Sequence, residues 1–167
     1  MIKLLDCTLR DGGYYNNWDF SQTLITDYLQ AMDALNVDFI EVGLRTLKNE
    51  SFKGGCAFST DTFIKNLSIP KRLEGKIGVM LNGSELISPD KALCQTVYLE
   101  QALNKLFVDK TLSPVSLVRI ACHIHEFQHC LPAANWLHDK GHREGFILMQ
   151  VAECSAEELT RQALLAS

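Results

Sequence analysis

The sequence predicts an α/β domain built from five consecutive βα units around a parallel sheet. Three observations carry that prediction. Short apolar runs alternate with longer amphipathic ones along the 167 residues. The apolar runs contain few polar residues, as strands covered by helices require. The C-terminal ends of those runs gather charge and imidazole, and that is where parallel α/β folds keep their chemistry.

Residues 2–9 (IKLLDCTL) form the first predicted strand, which runs into Arg10, Asp11, Gly12 and Gly13. Over 21–35, Leu24, Ile25, Tyr28, Leu29, Met32 and Leu35 recur at helical spacing, with Asn36 as the stop. Residues 37–44 (VDFIEVGL) are the second strand, followed by a loop with Gly54-Gly55 and a short helix over 60–67. The third strand is 76–81 (KIGVML). Ser88-Pro89 reads as an N-cap and first helical residue, opening a helix to about 108. The fourth strand is 115–122 (VSLVRIAC), and a helix over 132–140 ends at Gly141. Residues 145–151 (GFILMQV) are the fifth strand. Ser155 and Glu158 have the spacing of a capping box and open a last helix.

Hydrophobic residues make up 47% of the chain and charged residues 22%, a globular balance that suits one domain over 1–167. A net charge of −4, a pI near 5.7 and the lack of a basic run argue against a nucleic-acid partner. No apolar run reaches the ~18 residues of a membrane span. The N-terminal apolar stretch is short and cut by Asp6, which is not the pattern of a signal peptide. Six cysteines (7, 56, 94, 122, 130 and 154) include no CxxC pair. They read as reduced thiols of a cytoplasmic protein rather than as zinc ligands.

The predicted strand ends carry Arg10-Asp11, Glu41 through Arg45, Asn82-Gly83, His123-x-His125-Glu126, and Gln150 with Glu153. Side chains alternate along a strand. Asp6, Thr8 and Arg10 are therefore expected on one face of the first strand, and Glu41, Gly43 and Arg45 on one face of the second. Arg119, Ala121 and His123 share a face of the fourth. The opposite, aliphatic faces must meet helices, which turns the polar faces inward. Unpaired buried charge is costly, so this pattern suits a barrel with a solvated mouth better than an open sheet covered on both sides. No GxGxxG follows the first strand, so a dinucleotide fold gains no support.

DCTLRDGG at 6–13, followed after one helix by FIEVGLR at 39–45, resembles the metal-dependent aldolase and lyase superfamily related to hydroxymethylglutaryl-CoA lyase, the DRE barrel enzymes. VRIACHIHE and GFILMQV resemble the fourth and fifth strands of its 4-hydroxy-2-oxovalerate aldolase branch. The resemblance implies a partial (β/α)8 TIM barrel, five βα units that stop before strands 6–8, against ~250 residues in a complete barrel. It implies a divalent-metal-dependent carbon–carbon lyase or aldolase that works on a 2-oxo or 2-oxo-4-hydroxy acid through an enolate. By the same resemblance Asp11 is a metal ligand, Arg10 the cation at the enolate oxygen, and Glu41 the carboxylate that orients Arg10. A metal ion and a guanidinium hold such an oxyanion well. Carboxylate ligands suit Mg²⁺ or Mn²⁺ better than Zn²⁺.

The pattern also departs from the family. Its remaining metal ligands come from an H-x-H motif on a later strand, whereas His123-x-His125 here follows the fourth. His123 is then a substrate-pocket residue, a hydrogen-bonded structural residue, or half of a metal pair. The aldolase branch has a His three residues after the metal-ligand Asp. Tyr14 stands there in this chain, as an acid–base group or a pocket wall. Asn17, with Asn16 and Trp18, either lines a polar substrate or forms the turn before the next helix. Arg45 either binds a carboxylate or phosphate of the substrate or pairs with Glu50. His129, His138 and His142 are expected in solvent. Five parallel strands leave the first and fifth as open edges. The chain is therefore expected to be part of a longer product or a homo-oligomer, with little activity alone. The alternatives are a Claisen-type acyl-CoA condensing enzyme, of the isopropylmalate or homocitrate synthase kind, and a non-catalytic half-barrel that serves as an assembly partner.

Overall fold

The computed structural model of the chain describes residues 2–49, 51–90 and 92–165. Five parallel strands, β1 (Leu5–Asp6), β2 (Phe39–Leu44), β3 (Ile77–Asn82), β4 (Val115–His123) and β5 (Arg143–Met149), lie side by side in sequence order. The helices between and after them are α1 (Thr8–Asn16), α2 (Gln22–Leu35), α3 (Gly55–Phe58), α4 (Asp61–Lys65), α5 (Gln95–Leu106), α6 (Ile124–Cys130), α7 (Pro132–Asp139) and α8 (Ala156–Leu165). The arrangement is a half-barrel with alternating helices, as the periodicity predicts, and β1 and β5 are its edges. No described helix is long and apolar enough to cross a membrane. All six cysteines are free thiols.

Local chemistry explains the element ends that the sequence marks well. Ser21 caps α2 by accepting the Leu24 N–H at 3.2 Å, and Asn36 closes it in the left-handed conformation (φ 50°). Thr60 caps α4 through the Phe63 N–H at 3.1 Å. Ser155 caps α8 through the Glu158 N–H at 3.1 Å. The core forms where Ile40, Val42, Ile77, Val79, Leu81, Val118 and Ile120 of the sheet meet Leu29, Leu99, Leu103 and Leu137 of the helices, all buried. Each such side chain contributes about 1.5–3 kcal/mol by leaving water.

The structure corrects the sequence reading at five places. The apolar run over 2–9 is not one strand. Pairing stops at Asp6, whose Oδ1 accepts the Thr8 N–H at 2.9 Å and so starts α1. Asp11 lies in the first turn, where a carboxylate suits the positive end of the helix. Arg10 and Asp11 thus ride on a helix, and strand alternation does not govern them. In β2, Glu41 pairs with Gly78 but Leu44 with Met80, so β2 carries one extra residue between them. This bulge reverses the alternation. Glu41 faces the interior, while Gly43 and Arg45 face α3 and its neighbours.

The helix expected from Ser88-Pro89 starts only at Gln95. The Gln95 amide accepts the Ser88 N–H at 2.9 Å and donates to the Leu86 carbonyl at 2.7 Å. These bonds satisfy that backbone outside a helix. At the end of β4 a helix not foreseen, α6, begins at once, with the Glu126 carboxylate accepting the His123 N–H at 2.8 Å. His142 is buried, not solvated. Its ring nitrogens face the carbonyls of Val115 at 3.1 Å and Val108 at 2.8 Å, and its ring meets Phe107 edge-on.

Candidate functional site

The first turn of α1, the middle of β2 and the middle of β4 bring Arg10, Glu41 and Arg119 to one point on the inner side of the sheet. Arg119 grips the Glu41 carboxylate as a fork, Nε to Oε1 at 2.8 Å and Nη2 to Oε2 at 2.6 Å. Arg10 Nε donates to the same Oε2 at 2.8 Å, and Arg10 Nη1 donates to Asp11. Glu41 is fully buried (0% exposed), so its charge depends on these two partners. The arginine side chains keep access to solvent, at 14% and 21%, and Asp11 stands at 61% on the outer rim of the cluster.

The electrostatics follow from the sharing. Burial alone would make the Arg10 guanidinium easier to deprotonate. The hydrogen bond and charge of Glu41 outweigh it, so the pKa rises. For Arg119 the hydrogen bond to Glu41 is the largest influence, and again the pKa rises. The Cys7 thiol, at the N-cap of α1, lies 3.1 Å from Arg119 Nη2. Burial, with Glu41 nearby, pushes its pKa up, so it is a protonated neighbour rather than a thiolate nucleophile. Two guanidinium groups therefore share one buried carboxylate, and the exposed Asp11 is the second anion of Arg10.

Arg10 is also held from behind. The Trp18 indole N–H donates to the Arg10 carbonyl at 2.9 Å. Asn17 and Trp18 both take left-handed backbone (φ 57° and 56°), which ends α1 and folds the indole back over it. The indole lies where a Cβ on Gly13 would be, so no other residue fits at that position. Gly13 thus serves packing against the indole.

The other candidates are dispersed. Tyr14 is exposed on α1, its ring edge-on to Trp18 at 4.7 Å. Asn17 is the C-cap of α1, and its carbonyl accepts the Gly54 N–H at 2.9 Å. Arg45 is buried at 3% and apart from Arg10. It donates to the Ser59 carbonyl, the Leu106 carbonyl at 3.0 Å and Asp61 at 2.6 Å, with Phe107 under its guanidinium. Its expected alternative partner, Glu50, lies outside the described residues. His123 ends β4 four residues beyond Arg119. Its ring stacks on His125 at 5.6 Å beside a hollow of about 340 Å³. Because α6 starts at Ile124, the two imidazoles are not strand neighbours. The sequence motifs assign no site role to Arg119 or Cys7; the signal for Arg119 is its place on the polar face of β4.

The described residues do not by themselves make a complete divalent-metal site. Among the described residues no three His, Cys, Asp or Glu side chains are grouped to hold a metal. Asp11 is one exposed carboxylate, and Glu41 is taken by the arginines.

No family profile matches the chain. A curated relative, 4-hydroxy-2-oxovalerate aldolase 6 of Rhodococcus jostii (strain RHA1), is 26% identical over 165 residues, 98% of this chain and 42% of its own. The crystal structure of the N-terminal domain of a candidate aldolase from Bacteroides vulgatus matches with a TM-score of 0.71 at 29% identity. That match covers 96% of this chain and 49% of the other. The chain resembles the N-terminal part of an aldolase. It spans about half the length of the relatives it matches. This likeness agrees with the resemblance carried by residues 6–13 and 39–45, and with a half-barrel of βα units.

Proposed function

We propose that this chain supplies the enolate-stabilising part of a carbon–carbon lyase that acts on a 2-oxo-4-hydroxy acid. The observation that carries the proposal is Arg10, fixed in plane by Glu41, tied through its carbonyl to Trp18, and adjacent to Asp11. In such a cleavage the C3–C4 bond breaks and its electron pair moves to the C2 oxygen as an enolate. The C4 hydroxyl gives up its proton as the aldehyde departs. Arg10 donates hydrogen bonds to the C2 oxygen as charge develops there. Glu41 keeps the guanidinium from turning away. Tyr14, one helical turn beyond Arg10 on α1, is the proposed proton carrier. Asp11 is the carboxylate this chain would offer a cation such as Mg²⁺ or Mn²⁺, and no step here passes through that ion. The substrate class rests on the name of the Rhodococcus relative and on the two guanidinium groups gathered at Glu41. Six free thiols support a reducing, cytoplasmic setting. The open edges of β1 and β5 support completion by further βα units or by a second copy.

The test is exchange of pyruvate methyl protons in deuterated water, followed by NMR. It is run with the chain alone and with the chain fused to the part of the Rhodococcus aldolase it does not span. Exchange is expected in the fusion, and Arg10→Ala should reduce it by about 100-fold or more. An Arg10→Ala fusion that exchanges at the wild-type rate would refute the assignment.

A further inference from the structure

The inner face of the sheet holds more cationic donors than its one buried carboxylate can use. Arg119 commits Nε and Nη2 to Glu41 and Cys7, and among the described residues its Nη1 has no partner. Both guanidinium groups donate to the same oxygen, Glu41 Oε2, so one small ligand can touch both. The space beside Arg119 is open. Its partner in register on β5 is Gly145, and parallel partners face the same side. A Cβ added to Gly145 would meet nothing within 4 Å. Glycine inside a strand costs order and packing, and often marks a place where something approaches the sheet closely.

We infer that Arg119 is the carboxylate-binding cation of this site, receiving the acid end of a 2-oxo acid in the open space beside Gly145 while Arg10 meets the oxo end. The substrate class rests on the proposed function; the carboxylate site itself does not. A carboxylate matches the planar donor edge of a guanidinium and can accept from the Nη1 that Glu41 and Cys7 leave unused. The division of labour also follows from the two settings. Arg10 is paired with Asp11, and Arg119 stands beside the open space at Gly145.

The experiment titrates the chain with pyruvate, methyl pyruvate and propionate at constant ionic strength. The Arg119 Nε–H and Gly145 amide resonances report binding. Pyruvate should move both, and methyl pyruvate, which lacks the charge, should bind about tenfold more weakly or worse. Arg119→Gln should weaken pyruvate by about tenfold or more in protein that circular dichroism shows to be folded, and Arg119→Lys should restore part of it. Gly145→Leu, which fills the open space, should block pyruvate too. That variant decides the matter if Arg119→Gln does not fold. Equal pyruvate affinity in Arg119→Gln or in Gly145→Leu overturns the inference and leaves the enolate role of Arg10 standing. Propionate binding as tightly as pyruvate supports the carboxylate site and counts against the oxo-acid substrate. Binding of neither acid by the wild-type chain overturns the inference.

Discussion

Arg45 and Arg119 both project from the middle strands of one sheet, yet they do opposite work. Arg45 points to the helix side, buried, with its donors met by Ser59, Leu106 and Asp61 and its pKa lowered by burial. Arg119 points to the interior, shares its one anion with Arg10, and among the described residues has a nitrogen without a partner beside open space. A saturated arginine marks architecture. An arginine with donors to spare, and room next to them, marks a place for a ligand. The bulge in β2 sets the side of Arg45, because Glu41 within the strand faces inward while Arg45, directly after it, faces outward.

The comparison can be broken most directly at Arg45. Arg45→Met leaves Asp61 without its cation, with the Ser113 hydroxyl still donating to it at 3.0 Å. It also leaves the Ser59 and Leu106 carbonyls without that donor, so it should lower stability by about 2–4 kcal/mol in urea denaturation. Pyruvate affinity should stay the same in the folded fraction. A loss of under about 1 kcal/mol would mean that Arg45 is not a structural tie. Gly43→Ala comes next. Its methyl would overlap the Cys56 carbonyl, so α3 must shift, at about 1–3 kcal/mol. Wild-type stability in this variant would contradict the outward turn of the bulge. Arg119→Gln should cost less, about 1–2 kcal/mol, since Glu41 keeps Arg10 and the new amide can still donate. A stability loss as large as that of Arg45→Met would erase the distinction between the two arginines.

The smallest effect concerns the start of α1, which carries Arg10. Burial alone would raise the Asp6 pKa. Its hydrogen bonds from Thr8, and from the Tyr28 hydroxyl at 2.7 Å, bring it below the usual value instead. A carboxyl with a depressed folded pKa stabilises the fold fully above its unfolded pKa of about 3.9 and loses that contribution as pH falls through the folded value. The gap between wild type and Asp6→Asn should therefore be constant near neutral pH and narrow below about pH 4. Urea midpoints across that range measure it, and a gap independent of pH would show that Asp6 does not act through its charge.

Much of this architecture was readable because its signals are local. Ser21 and Asn36, Thr60, and Ser155 with Glu158 mark helix ends through bonds made within three residues. Asp11 and Glu41 stood out through their motif. What escaped was decided by distant contacts. Nothing near residues 2–9 says that pairing with β2 stops at Asp6, nor does VDFIEVGL announce an extra residue that appears only against β3. Arg45 was therefore placed on the wrong face. The long-range carbonyls of Val108 and Val115 hold His142, and the Gln95 side chain delays α5. Arg119 was seen on a polar face, but its value as the second partner of a carboxylate 78 residues away became visible only in three dimensions.

The strand order has a consequence for how the molecule is made. Each strand lies beside the one that precedes it in the chain, so none must be slotted between two that have already joined. A nascent polypeptide leaving the ribosome can add one βα layer at a time, each new layer resting on a finished surface. The Glu41–Arg119 fork then closes only when the fourth layer arrives, which makes it a late clasp on a structure already largely assembled.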